Sequence, residues 1–69
     1  MNATQKAILR LLGRWDKPYP PNVTDISLLL GLGYSTALKS LYILDRDGWV
    51  ELIRDERGMI RCVKLFAKL

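Results

Sequence analysis

Residues 23–51 read VTDISLLLGLGYSTALKSLYILDRDGWVE, in which a short apolar segment, a glycine turn and a longer periodic segment follow one another. Thr24 is predicted to cap a helix that Asp25 opens, because a hydroxyl group and a negative charge both suit a helix N-terminus. Gly31 is expected to end this helix. Its buried face is predicted to consist of Ile26, Leu29 and Leu30. A tight turn over residues 31–33 then leads into the longer segment.

The longer segment has the period of an amphipathic helix. Ala37, Leu41 and Leu44 recur at i, i+4 and i+7 and therefore lie on one face. This spacing predicts a helix from about Tyr34 to Arg46. Gly48 is expected to end it in the left-handed conformation, which glycine adopts without a steric penalty.

The N-terminal flank is predicted to contribute a further helix. Asn2 is a suitable N-cap and Gln5 stands three residues later, as in a capping box, so we expect a helix over roughly residues 3 to 15. Residues 17–22 contain three prolines, which exclude helix. This part of the chain is predicted as an extended connector with room for a very short strand.

The C-terminal flank changes to a strand pattern. Residues 49–54 and 59–65 are rich in β-forming side chains, and the charged segment 55–58 between them ends in a glycine. This order predicts a β-hairpin. Residues 66–69 are compatible either with a longer second strand or with a short terminal helix.

Residues 23–51 resemble the central segment of MarR-like and ArsR-like winged-helix regulators. In that family pattern a small polar residue caps the second helix, Leu-Gly-Leu fills the turn, as at residues 30–32, and Ser-Thr opens the recognition helix, as at residues 35–36. A Leu-x-x-Leu-x-x-x-Gly-hydrophobic-Val pattern leads into the wing, as at residues 41–50. The resemblance implies an α+β winged helix-turn-helix, with three helices and a C-terminal β-hairpin wing, as a single domain over residues 1–69.

The resemblance also implies a sequence-specific, double-stranded DNA-binding transcriptional regulator. Its recognition helix would enter the major groove, and its basic wing would lie on flanking DNA. Hydroxyl and amide groups at the start of that helix suit phosphates or base edges, Lys39 suits guanine or phosphate, and Leu38 suits a thymine methyl group. The residues expected to contact DNA are Tyr34, Ser35, Thr36, Leu38, Lys39 and Tyr42 on the helix, and Arg54, Arg57 and Arg61 on the wing.

Composition and charge favour a polyanionic partner. The 69 residues contain 11 Lys and Arg against 7 Asp and Glu, which gives a formal net charge of +4 and a sequence pI near 9.6. A chain this short builds a core of roughly 3–5 kcal/mol, so a further stabilising device is expected. Cys62 is the only cysteine and histidine is absent, which excludes an intrachain disulfide and a Cys/His zinc site.

A homodimer is therefore expected. Its candidate surface comprises Leu9 and Leu11 of the first helix, the leucines near Leu28, and residues 65–69. We expect no cofactor, no metal, no small-molecule substrate and no catalytic activity, because no nucleophile has a base beside it. No apolar run is long enough to span a bilayer and residues 1–3 do not open a signal peptide, so a cytoplasmic location is expected.

Two other functions remain open at this point. The fold could serve as a protein-interaction module within a larger complex, because the predicted recognition face carries Leu38 between two tyrosines. It could also bind nucleic acid without sequence preference. Trp15 and Trp49 are predicted to be packing residues, and Cys62 is predicted to act as a small hydrophobic residue in a strand.

Overall fold

The computed structural model describes residues 1–66, which form three helices followed by a two-stranded antiparallel hairpin. The α+β class expected from the sequence is confirmed. The elements are α1 (Ala3–Gly13), α2 (Val23–Leu30), α3 (Tyr34–Arg46), β1 (Val50–Arg54) and β2 (Ile60–Leu65). Phe66 follows β2 outside any element, and its N–H donates to the carbonyl of Trp49 at 3.1 Å. Residues 67–69 of the predicted terminal strand or helix lie outside the described residues.

The first helix begins as predicted and ends earlier. Asn2 and Gln5 form the capping box, with the Gln5 N–H donating to Asn2 Oδ1 at 2.8 Å. The helix ends at Gly13 instead of residue 15, and Trp15 lies outside it. Its indole N–H donates to the carbonyl of Tyr19, and the two rings meet edge to face with centroids 6.1 Å apart. Trp15, which is half-buried, therefore packs against the connector.

The connector runs beside the hairpin without forming a strand. The carbonyl of Pro21 accepts a hydrogen bond from the Val63 N–H at 2.8 Å. Proline has no N–H to donate in return, so a reciprocal ladder cannot form. The very short strand considered for residues 17–22 is therefore replaced by a single backbone contact to β2.

The N-cap of α2 differs from the prediction. Asn22, and not Thr24, caps the helix: its side-chain oxygen accepts from the Asp25 N–H at 2.7 Å, and the Asp25 carboxylate accepts from the Asn22 N–H at 3.1 Å. The backbone of Asn22 is extended, with φ −100° and ψ 179°, which is the conformation an N-cap requires. Thr24 consequently lies inside the first turn.

The buried face of α2 also needs a correction. Ile26 is fully buried as predicted, but Leu29 is 58% exposed and Leu30 is only half-buried. Val23 and Ser27, the other buried residues of this helix, lie on the side of Ile26 that is turned away from Leu29. Two adjacent leucines, Leu28 and Leu29, are left facing solvent.

The turn and the third helix follow the sequence prediction. Gly31 ends α2 with φ +65°, and Gly48 follows α3 with φ +83°. The axis bends by 115° between α2 and α3 across residues 31–33. Among residues 1–66 no single helix is long and apolar enough to cross a membrane. These two helices reach the length and hydropathy of one span only when taken together across their bend.

The hairpin pairs β1 with β2 through a bulge. Ile53 lies opposite Cys62 and Arg54 lies opposite Ile60, so Arg61 has no residue opposite it. All five elements contribute to one hydrophobic core. Its buried members are Ile8, Leu12, Val23, Ile26, Ala37, Leu41, Leu44, Val50 and Val63. Trp49, which was predicted to be a packing residue, keeps 37% of its surface exposed, so only part of its side chain is packed.

Candidate nucleic-acid interface

The outer face of α3 is polar and basic. Ala37, Leu41 and Leu44 are buried as predicted, which leaves the opposite side of the helix in solvent. That side is occupied, at intervals of four, three and four residues, by Ser35, Lys39, Tyr42 and Arg46, all of them exposed. Arg46 was not among the predicted contacts. Its position seven residues after Lys39 is the sequence signal that places it on this face.

The N-terminus of α3 is open. Gly33 is its N-cap and makes no side-chain cap hydrogen bond, and the first turn contains no acidic residue. The other two helices are closed by capping boxes. Free backbone N–H groups and the positive end of the helix dipole therefore face solvent, together with the exposed side chains of Tyr34, Ser35 and Thr36. Such a terminus is suited to binding an anion.

The side of α3 nearest the hairpin is less polar. Leu38 is half-buried and packs in part against the core, so it does not face fully outward as the sequence suggested. A shallow groove of about 100 Å³ lies between α3 and the hairpin. Its lining residues are Tyr34, Leu38, Tyr42, Arg54, Gly58, Met59 and Ile60. Tyr34, Tyr42 and Met59 keep 54%, 45% and 63% of their surface exposed, so the rim of the groove is accessible.

Arg54 connects the hairpin to α3. Its guanidinium donates through Nη1 to the carbonyl of Gly58 at 3.0 Å and lies 5.9 Å from the ring centroid of Tyr42. A cation this close to an aromatic face is stabilised by about 0.5–1 kcal/mol at an exposed site. The side chain of Arg54 thus links the hairpin turn to α3.

The hairpin tip is ordered by Asp55. Its Oδ1 accepts from the N–H groups of Arg57 and Met59 at 2.9 and 3.0 Å. Two backbone hydrogen bonds close the same turn: Asp55 N–H to the Met59 carbonyl at 2.8 Å, and Gly58 N–H to the Asp55 carbonyl at 3.0 Å. Arg57 is therefore held, exposed, at a rigid tip.

Arg61 lies on the other face of the hairpin. The bulge leaves it unpaired, and it lines a cleft of about 340 Å³ with Pro20, Ile53, Cys62 and Lys64. Arg54 instead lines the groove beside α3. Arg54 and Arg61, which the sequence placed together with Arg57 around the turn, thus lie on different faces, because the extra residue in β2 reverses the alternation of side chains. Cys62 is a half-buried free thiol in this cleft.

Charge is distributed unevenly along the chain. Residues 1–22 hold four cations and one carboxylate, and residues 52–69 hold five cations and two carboxylates. Residues 23–51, which include α2 and α3, hold only two cations and four carboxylates. Asp45 and Asp47 lie at the C-terminal end of α3, and Asp47 pairs with Arg46 at 3.3 Å. The positive part of α3 is therefore its N-terminal half.

Metal binding has no support among the described residues of this surface. Within residues 1–66 no group of three His, Cys, Asp or Glu side chains could hold a metal ion. No protein-family model, curated protein or solved structure matches the chain. The arrangement of side chains and backbone groups around α3 is therefore the basis for a functional proposal.

Proposed function

We propose that this protein is a sequence-specific, double-stranded DNA-binding transcriptional regulator of winged helix-turn-helix architecture. In this proposal α2 and α3 form the helix-turn-helix, with α3 as the recognition helix and the hairpin as the wing. The 115° bend across a three-residue turn supports it, since helix-turn-helix units join two helices at about 90–120°. A helix of 13 residues, about 20 Å long, also suits the major groove.

The observation that carries the proposal is the open N-terminus of α3 at the edge of a polar face. DNA-binding helices of this kind direct their N-terminal residues to base edges, while free N–H groups hold backbone phosphates. In our proposal Tyr34, Ser35 and Thr36 occupy these positions, and Lys39 follows one turn later. Arg46 extends the contact along the same face.

The structure supports different roles for the three wing arginines. Arg57, exposed at the ordered tip, contacts flanking phosphates in this proposal. Arg54 positions the wing through its contacts with Gly58 and Tyr42. Arg61 lies on the opposite face of the hairpin and is not expected to reach a duplex bound to α3.

Homodimerisation is part of the proposal, because two copies of α3 would match a palindromic site. Leu9 and Leu11, predicted for the dimer surface, are half-buried against the core. Leu28 and Leu29 are 76% and 58% exposed and form the more accessible apolar pair. Sedimentation of the wild type and of a Leu28→Ser/Leu29→Ser variant tests this surface: a dimer that the substitutions leave intact would contradict its use.

The variant Ser35→Asp tests the DNA-binding face. It puts a carboxylate in the first turn of α3, where the helix dipole stabilises it by about 0.3–1 kcal/mol, but where it repels phosphate. We expect duplex affinity to fall at least about tenfold, or about 1.4 kcal/mol, while the melting temperature is unchanged or raised. Fluorescence anisotropy and thermal melts measure the two effects.

Thr4→Asp is the matched control, since Thr4 occupies the same position of α1 and the charge change is identical. It is expected to keep most of the duplex affinity. Equal losses in both variants would mean that only net charge matters, which would favour non-specific binding. No loss in Ser35→Asp would contradict the proposed recognition helix.

A second candidate function is protein interaction through the groove between α3 and the hairpin. The exposed rim of Tyr34, Tyr42 and Met59 favours it, because aromatic side chains and methionine are enriched at protein interfaces. This alternative predicts that Ser35→Asp leaves partner binding unchanged and that Tyr42→Ala abolishes it.

A further inference from the structure

A row of cations lies on the outer face of α1. Lys6 and Arg10 of α1, and Arg14, the C-cap residue that follows the helix, stand at intervals of four residues and are all exposed, whereas Gln5, Ile8 and Leu12 form the buried face. With a rise of 1.5 Å per residue the row is about 12 Å long. We call these three residues the α1 row.

The α1 row has no compensating charge. No acidic residue occurs in α1, and within residues 1–66 no carboxylate lies within ion-pair distance of these cations. Like charges four residues apart on a helix repel each other, while Arg10 and Arg14 also lie at the C-terminal end of α1, where the helix dipole favours cations. An anionic partner would remove the mutual repulsion.

The neighbours of the α1 row favour a phosphate backbone over a protein surface. Ala3, Ala7 and Gly13 are the small residues around it, and a Cβ placed at Gly13 would meet nothing within 4 Å. Small neighbours allow a backbone to approach three long cationic side chains. Within α1 itself no aromatic or large apolar residue of the kind typical of protein-binding hot spots is exposed.

The α1 row and α3 face in different directions. α1 buries Ile8 and Leu12, and α3 buries Ala37 and Leu41, in the same core, so the outer face of each helix points away from that core. The α1 row shares no residue with the face of α3 that the proposed function assigns to a duplex. Resting on the proposed function, we propose that the α1 row binds the phosphate backbone of a second DNA duplex, so that the protein bridges two duplexes.

The test is a bridging assay with two short duplexes, one carrying a donor fluorophore and the other an acceptor. Wild-type protein should bring them together and give energy transfer. Lys6→Ala/Arg10→Ala/Arg14→Ala should still bind one duplex, but its bridging should fall at least about tenfold. The slope of log bridging affinity against log salt concentration should also be smaller in magnitude by about 2 to 3. The charge-conserving variant Lys6→Arg/Arg10→Lys/Arg14→Lys should bridge like the wild type.

The other outcomes distinguish a failure of this inference from a failure of the proposed function. Bridging that survives the triple alanine variant would overturn the inference and indicate that a dimer joins the duplexes through two copies of α3. One-duplex binding that is lost in the alanine variant but unchanged in Ser35→Asp would overturn the proposed function of α3. A wild type that binds one duplex and never two would overturn only the inference. Preference of the α1 row for an acidic polypeptide over DNA would overturn it as well.

Discussion

At the scale of single residues, Asn22 decides where α2 begins. Asn22 and Thr24 are both good N-cap residues, and they stand only two positions apart. Three prolines keep the chain before Asn22 extended, and Asp25 stands three residues after Asn22 to complete a reciprocal capping box. Thr24 has Ser27 at the corresponding position, and the Ser27 hydroxyl instead donates to the Thr24 carbonyl at 2.9 Å.

Substitution of Asn22 tests whether it is the N-cap of α2. Asn22→Ala should lower the free energy of unfolding by about 1 kcal/mol, because the Asp25 N–H loses its partner. A melting temperature lower by about 4–8 °C should accompany it in a domain of this size. Thr24→Ala, an exposed position inside the helix, should be close to neutral. Thermal melts in which Thr24→Ala is the more damaging change would contradict the assigned cap.

The same residues show how far the sequence could predict the structure. The periodic spacing of Ala37, Leu41 and Leu44 was sufficient to place α3 and its buried face. The predicted buried face of α2 included Leu29, however, whereas Val23 is buried instead: at about 100° per residue both lie about 60° from Ile26, on opposite sides of it. Local propensity alone could not rank the two caps.

At the scale of elements, the hairpin is the part that the sequence described least completely. Its strands and turn were predicted, but the bulge at Arg61 depends on register, which no local pattern fixes. The bulge separates Arg61 from Arg54 and determines which cations lie beside α3. Arg46, by contrast, could have been found from its spacing along α3.

Substitution of Asp55 tests whether its carboxylate orders the hairpin tip. Asp55→Ala removes the acceptor of two backbone N–H groups and should lower the free energy of unfolding by about 1–2 kcal/mol. Asp55→Asn keeps one side-chain oxygen as an acceptor and should lower it by less. Urea unfolding followed by tryptophan fluorescence measures both. Stability of both variants equal to that of the wild type would mean that the carboxylate does not order the tip.

At the scale of the whole molecule, the net positive charge is carried by some of the elements packed around one small core and not by others. The net positive charge comes from α1, the connector and the hairpin, while residues 23–51 are net acidic. Sequence composition predicts a polyanionic partner, but it does not show on which elements the exposed cations lie. The structure shows that the faces of α1 and α3 opposite their buried residues both point away from the same core.

The most direct measurement of the central proposal is a fluorescence-anisotropy titration of the wild-type protein against random duplexes and random single strands at two salt concentrations. Selection of the tightest duplexes follows. We expect preference for duplexes, a log–log salt slope of about −3 or steeper from three or more phosphate contacts, and enrichment of a palindromic sequence. Absence of binding at low salt, or equal affinity for single strands and all duplexes, would contradict the proposed regulator.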